Sequence, residues 1–222
     1  MSNDLQLTAA DGFRLDAYLA KPAGAPRGGL IVLQEIFGVN SHIRAVADRY
    51  AAEGYLVIAP ALFDRAEPGV NLGYTPDDMK AGVAIRAKVP GEKTLLDIQV
   101  ALQHVQGAGK VGVVGYCWGG SLAWLSACSL DGLSAAIAYY GSMLPANAGL
   151  VARCPVMAHF GAHDHGIPLE SVEAFRAAQP AVELHVYEAD HGFNCDQRGS
   201  YNAAAAALAQ QRSSAFFAKH LG

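Results

Sequence analysis

The sequence predicts an α/β fold built on a doubly wound, mostly parallel sheet with an antiparallel N-terminal hairpin edge. Three observations lead there. Short apolar runs alternate with longer segments of helical composition along most of the chain. The central runs are hydrophobic throughout instead of alternating, as strands covered by helices on both faces are. The first two strand candidates, around 5–8 and 13–20, are split by Asp11-Gly12, a turn dipeptide that joins antiparallel strands.

Taken in order, buried strands are expected at 29–34 (GLIVLQ), 55–60 (YLVIAP), 111–116 (VGVVGY), 135–140 (AAIAYY), 155–160 (PVMAHF) and 182–188 (VELHVYE). Helices are expected at about 42–53, 77–88, 92–107, 119–130, 169–178 and 200–219. The last opens near Ser200 and is rich in alanine, the strongest intrinsic helix former. Residues 61–91 are the least regular stretch, with Pro68-Gly69, Pro76 and Pro90-Gly91 marking turns. They form a candidate cap or entrance segment over a site. No repeat and no long Pro/Gly/Ser linker divides the chain, so one domain over 1–222 is expected.

Composition excludes some classes of function. Hydrophobic residues make up 52% and charged residues 16%, enough for a core and too few charges for a disordered chain. A net charge of −4 weighs against nucleic acid or an anionic membrane as main partner. The opening MSNDLQLTAADG has no basic and apolar leader pattern, and no apolar run is long enough for a bilayer. Cys117, Cys128, Cys154 and Cys195 show no CxxC spacing, which fits free thiols in a reducing cytoplasm. A monomer or weak homo-oligomer acting on a small molecule is the simplest assembly.

The chemistry concentrates at VVGYCWGG, residues 113–120. Cys117 stands where a buried strand gives way to a helix. Gly115 and Gly119 suit a tight turn that displays the central side chain above the sheet. A helix N-terminus favours a thiolate there, and the Trp118 amide can face a developing oxyanion. Cys117 can be read as a nucleophile, a redox thiol, or a small buried hydrophobe. A nucleophile needs a base, and the base needs an orienting carboxylate. GAHDHGIP places Asp164 in the loop after one strand, and ADHGF places His191 in the loop after the next. Strand carboxyl ends are where sites gather in open α/β sheets. Asp164 also reads as an N-cap for the helix after Pro168, Asp190 as its neighbouring competitor, and His191 as an ordinary loop histidine. His159, His163, Asp164, His165 and His191 are split between a strand and two loops without HExxH-type spacing, so no metal is expected.

With Cys117, Asp164 and His191 in place, the chain resembles the dienelactone hydrolase (carboxymethylenebutenolidase) family of the α/β-hydrolase superfamily. The resemblance rests on QEIFGVN (34–40), VGYCWGG, YYG (139–141), GAHDHGIP (161–168) and HGF (191–193), spread over most of the chain. It implies an α/β-hydrolase-type sheet and a Cys-His-Asp triad of Cys117, His191 and Asp164. It further implies a glutamate, Glu35, that governs thiol protonation, and an oxyanion hole from the Ile36 and Trp118 amides. No cofactor is implied. The expected reaction is cleavage of a lactone or small activated ester through a thioester acyl-enzyme. A thioesterase using the same triad, or a thiol-sensing or binding module, are the other readings.

The substrate side departs from the family pattern. Two arginines that hold a substrate carboxylate fall here at Gly82 and Cys195, and the serine after the histidine is Gly192. Arg86 and Arg198 read either as solvated surface arginines or as a replacement clamp. Phe37, Tyr139 and Phe193 are the further substrate-side candidates, Tyr139 by resemblance, and Cys195 stands near the pocket.

Overall fold

The structure, a computed structural model, describes residues 4–222. A hairpin of β1 (Asp4–Thr8) and β2 (Arg14–Ala20) turns at Asp11-Gly12, with Leu7 opposite Leu15. The rest of the sheet comes from β3 (Gly29–Leu33), β4 (Leu56–Pro60), β5 (Val111–Tyr116), β6 (Leu133–Tyr139), β7 (Val156–Gly161) and β8 (Glu183–Tyr187). The spatial order is β1-β2-β4-β3-β5-β6-β7-β8, antiparallel up to the β2–β4 pair and parallel beyond it. Strands β3, β5 and β7 are buried at every residue. That is why their sequences read as unbroken apolar runs.

Helices α1 (Ser41–Ala52), α2 (Pro76–Arg86), α3 (Gly91–Val105), α4 (Trp118–Ser129), α5 (Leu169–Ala178) and α6 (Ala203–Leu221) complete the fold. Their starts follow local chemistry. Asn40 accepts from the Ile43 amide to open α1, and Asn202 accepts from Ala205 to open α6. The expected start near Ser200 was therefore early, because the cap falls at Asn202. None of the helices among the described residues is long and apolar enough to cross a membrane.

Residues 61–91 are more ordered than their turn residues suggest. A 3-10 turn spans Leu62–Arg65. Arg65 donates to Asp97 at 2.7 and 2.8 Å and to Asp11 at 3.0 and 3.1 Å, tying the segment to α3 and the hairpin turn. Helix α2 then opens on a capping box between Thr75 and Asp78, with Pro76 at its first position.

Sheet order is what assembles the site. The loop after β3 carries Glu35, and Cys117 directly follows β5, its neighbour. The loops after the paired strands β7 and β8 carry Asp164 and His191. Strand β6 lies between the two pairs and ends in Tyr139-Tyr140.

Candidate active site

Cys117 adopts φ 56° and ψ −115° between β5 and α4, one of two non-glycine residues with positive φ among those described. Such a backbone costs of order 1–3 kcal/mol and persists only where its surroundings impose it. Here the surroundings are tight. A Cβ on Gly115 would strike the Gly119 carbonyl, and one on Gly119 would strike those of Leu33 and Gln34. The Cys117 amide donates to the Tyr139 carbonyl at 3.0 Å, fixing the turn against β6. The side chain is partly accessible, and Trp118, next along, is the first residue of α4, where amides lack intrahelical partners.

His191 and Asp164 meet at 2.6 Å, Nδ1 donating to Oδ2, with their side chains 27% and 1% exposed. The second Asp164 oxygen accepts from the Gly166 amide at 2.8 Å. Burial opposes the His191 imidazolium, but hydrogen bonds to Asp164 and to the Cys117 thiol outweigh it and lift the pKa to about 10. Asp164 and the Cys117 thiol are thus the side chains that favour the charged imidazole. Asp164 does not cap α5, whose N-cap is Pro168, and Asp190 is exposed. His163 pairs with Glu188 at the surface, and His159 is buried between Tyr187 and Ser213. Of the histidine-rich group noted in the sequence, His163, Asp164, His165 and His191 line one cavity, and only His159 lies in the interior.

Glu35 is fully buried and doubly held. Its Oε1 accepts from Arg198 Nη1 at 3.1 Å, and its Oε2 from the Tyr74 hydroxyl at 3.1 Å. This corrects the surface reading of Arg198, whose side chain is only 13% exposed and lies over the rings of Phe37 and Tyr74. The missing family residues explain the change. Gly192 has φ +77°, and a Cβ on it would collide with the Arg198 guanidinium, so glycine at 192 leaves room for that arginine. At Gly82, α2 passes so close to the Ile36 carbonyl that no side chain fits. Cys195 is buried against Tyr74, and burial, followed by the Glu35 charge, raises its thiol pKa to about 11.

The four other substrate-side candidates take the following places. Tyr139 is fully buried, its hydroxyl 2.7 Å from Ser213 Oγ and its ring stacked on Tyr116, so it faces the interior. Successive residues at a strand end point to opposite sides. Tyr140 takes the site side, with φ 37° and its ring 5.0 Å from His191. Phe193 is fully buried beneath Tyr140 and Tyr187. Phe37 is likewise buried, edge-on to Tyr74. Arg86 is exposed and lines a separate cleft with Trp118, Leu122 and Met143, its Nη2 lying 3.9 Å from the Met143 sulfur. The main cavity, about 780 Å3, is lined by Ser142, Asp164, Ile167, His191 and Arg198, among others.

Tyr74 and Tyr140 were not singled out from the sequence. The first sits in the irregular 61–91 stretch, and the second is masked by its neighbour in YYG.

Residues 15–221 match the model of the dienelactone hydrolase family. A Synechocystis sp. protein described as "Putative carboxymethylenebutenolidase" is 37% identical, covering 94% of this chain and 93% of its own. An Escherichia coli K12 protein of the same description is 37% identical over 96% of this chain and 85% of its own. A Klebsiella pneumoniae crystal structure described as a "Putative Dienelactone Hydrolase" superposes with a TM-score of 0.82 at 34% identity, covering 97% of this chain and 98% of that one. The fold, the strand-end loops and these likenesses agree: the chain belongs to the dienelactone hydrolase family.

Proposed function

We propose that this chain is a cysteine hydrolase that opens a lactone or small activated ester through a thioester acyl-enzyme. Cys117 is the nucleophile, His191 the general base and acid, and Asp164 the group that orients the imidazole. The observation that supports this most is the buried 2.6 Å Asp164–His191 contact with the Cys117 thiol as the imidazole's other partner. His191 takes the proton of the Cys117 thiol as substrate engages. Sulfur attacks the acyl carbon, and the Ile36 and Trp118 amides stabilise the oxyanion. The acyl C–O bond then breaks, and the leaving oxygen takes the proton from His191. Neutral His191 next draws a proton from water as that water attacks the thioester. The C–S bond breaks, the sulfur recovers its proton from His191, and the acid departs.

Arg198 gives the substrate class. It faces the cavity while holding Glu35. A carboxylate on the substrate competes with Glu35 for the guanidinium, which matches carboxylates in bidentate geometry. Glu35, released, alters the charge around the Cys117 sulfur. The test is a hydrolysis panel of lactones, aryl esters and thioesters, each with and without a free carboxylate. The expected result is turnover of lactones and aryl esters, fastest with the carboxylate present, and a loss of that preference in Arg198→Met. Preferential turnover of thioesters would favour the thioesterase reading. An absence of turnover across the panel would overturn the assignment.

A further inference from the structure

Behind the cavity, three potential ligands converge that the proposed hydrolysis leaves partly or wholly unused. A ring nitrogen of His42, a carboxylate oxygen of Glu35 and the sulfur of Cys195 all lie within 4.8 Å of one another, and all three residues are buried. We propose that Glu35, His42 and Cys195 form a binding site for a divalent transition metal of the zinc class.

A second observation points the same way. His42 Nδ1 lies 3.3 Å from Asp196 Oδ1, which sets the ring, while Nε2 is buried without a hydrogen-bond partner and the residue is 2% exposed. A buried polar atom left so costs about 1–3 kcal/mol. A carboxylate holding one nitrogen while the other is bare is the arrangement that supports metal-bound histidines. One sulfur, one nitrogen and one oxygen suit zinc or its neighbours, and not magnesium or calcium. Bonds of about 2.0–2.3 Å in a tetrahedron bring ligand atoms to about 3.5 Å apart, a closure of roughly 1 Å that side-chain rotation supplies.

Charge and access are consistent with this. On binding, the Cys195 S–H bond gives way to S–metal and the proton goes to solvent. The thiolate and Glu35 then balance the cation. Glu35 exchanges Arg198 for the metal, and Arg198 turns into the cavity that it already lines. A cleft of about 230 Å3 bordered by His42, Asn194, Asp196 and Tyr201 reaches the histidine from outside. This site does not rest on the acyl-transfer reading.

The experiment uses the full chain carrying Cys117→Ser, so that the proposed nucleophile contributes no thiolate. Co2+ is titrated and followed by thiolate-to-cobalt charge-transfer absorption, and Zn2+ affinity is measured against a chromophoric chelator. One equivalent should bind with the thiolate band, and adding Cys195→Ser or Cys195→Ala should abolish that band. Asp196→Asn should weaken Zn2+ by about 10- to 100-fold, and His42→Gln by more. Thermal melts of the metal-free variants establish that each is folded. Absence of stoichiometric binding, or binding indifferent to both Cys195 and His42 substitutions in folded protein, overturns the proposal.

Discussion

Replacing Arg198 with methionine tests the ion pair on which the substrate side of the site is built. Glu35 has no solvent exposure and Arg198 only 13% in its side chain, so the substitution leaves a buried carboxylate with the Tyr74 hydroxyl as its remaining donor. Removing one partner of a buried pair costs about 3–5 kcal/mol. Tyr74 stays, methionine keeps much of the apolar stem, and Arg198 opens partly to the cavity, which puts the loss near 3 kcal/mol, the lower bound of that range. At about 2–4 °C per kcal/mol for a chain of this size, the melting temperature should fall by roughly 6–12 °C. Urea denaturation at pH 7 reads the free energy directly, and calorimetry reads the shift. The control is Glu35→Gln with Arg198→Met, because a neutral amide needs no counter-charge. The double variant should lose less than the sum of the singles by about 2 kcal/mol. Full stability of Arg198→Met, or strict additivity in the cycle, would refute the reasoning.

Further consequences concern titration and packing. The His191 pKa is raised from 6.5 to about 10, so its contribution to stability is complete below pH 6.5 and is lost as pH rises through 10. Asp164→Asn should flatten that decline in urea titrations run at several pH values, and should bring the alkaline limb of kcat/KM to lower pH. Glu35→Gln should change the rate and pH dependence of Cys117 alkylation by iodoacetamide; an unchanged profile would leave Glu35 with a structural role only. Gly82→Ala adds a methyl where α2 meets the Ile36 carbonyl. It should cost about 1–3 kcal/mol as overpacking and lower kcat through displacement of the Ile36 amide, measured by urea denaturation and steady-state kinetics.

Much of this arrangement was legible in the chain. The unbroken apolar runs of β3, β5 and β7 announce strands covered on both faces, and the parallel order follows from the helices between them. Gly115 and Gly119 mark the turn because their contacts are local, between a strand end and the helix that it feeds. Asp164 and His191 were legible because each follows a strand by a few residues. The position of Arg198 was not, since its burial depends on the missing Cβ of Gly192 and on Glu35, 163 residues away. Choosing between Tyr139 and Tyr140 needed the backbone twist at Tyr140, which two identical letters conceal. Nothing in the local sequence marks His42, in the first turn of α1. Only the path of the loop carrying Asn194, Cys195 and Asp196 encloses it.

Whether Cys117 carries the acyl group is the question that decides the account. Intact-protein mass spectrometry during turnover of a slow aryl ester answers it. The wild-type chain should gain the mass of the acyl group, with the adduct mapping to Cys117 and absent from Cys117→Ala together with hydrolysis. Ester turnover that survives Cys117→Ala, or an adduct on another residue, would contradict it.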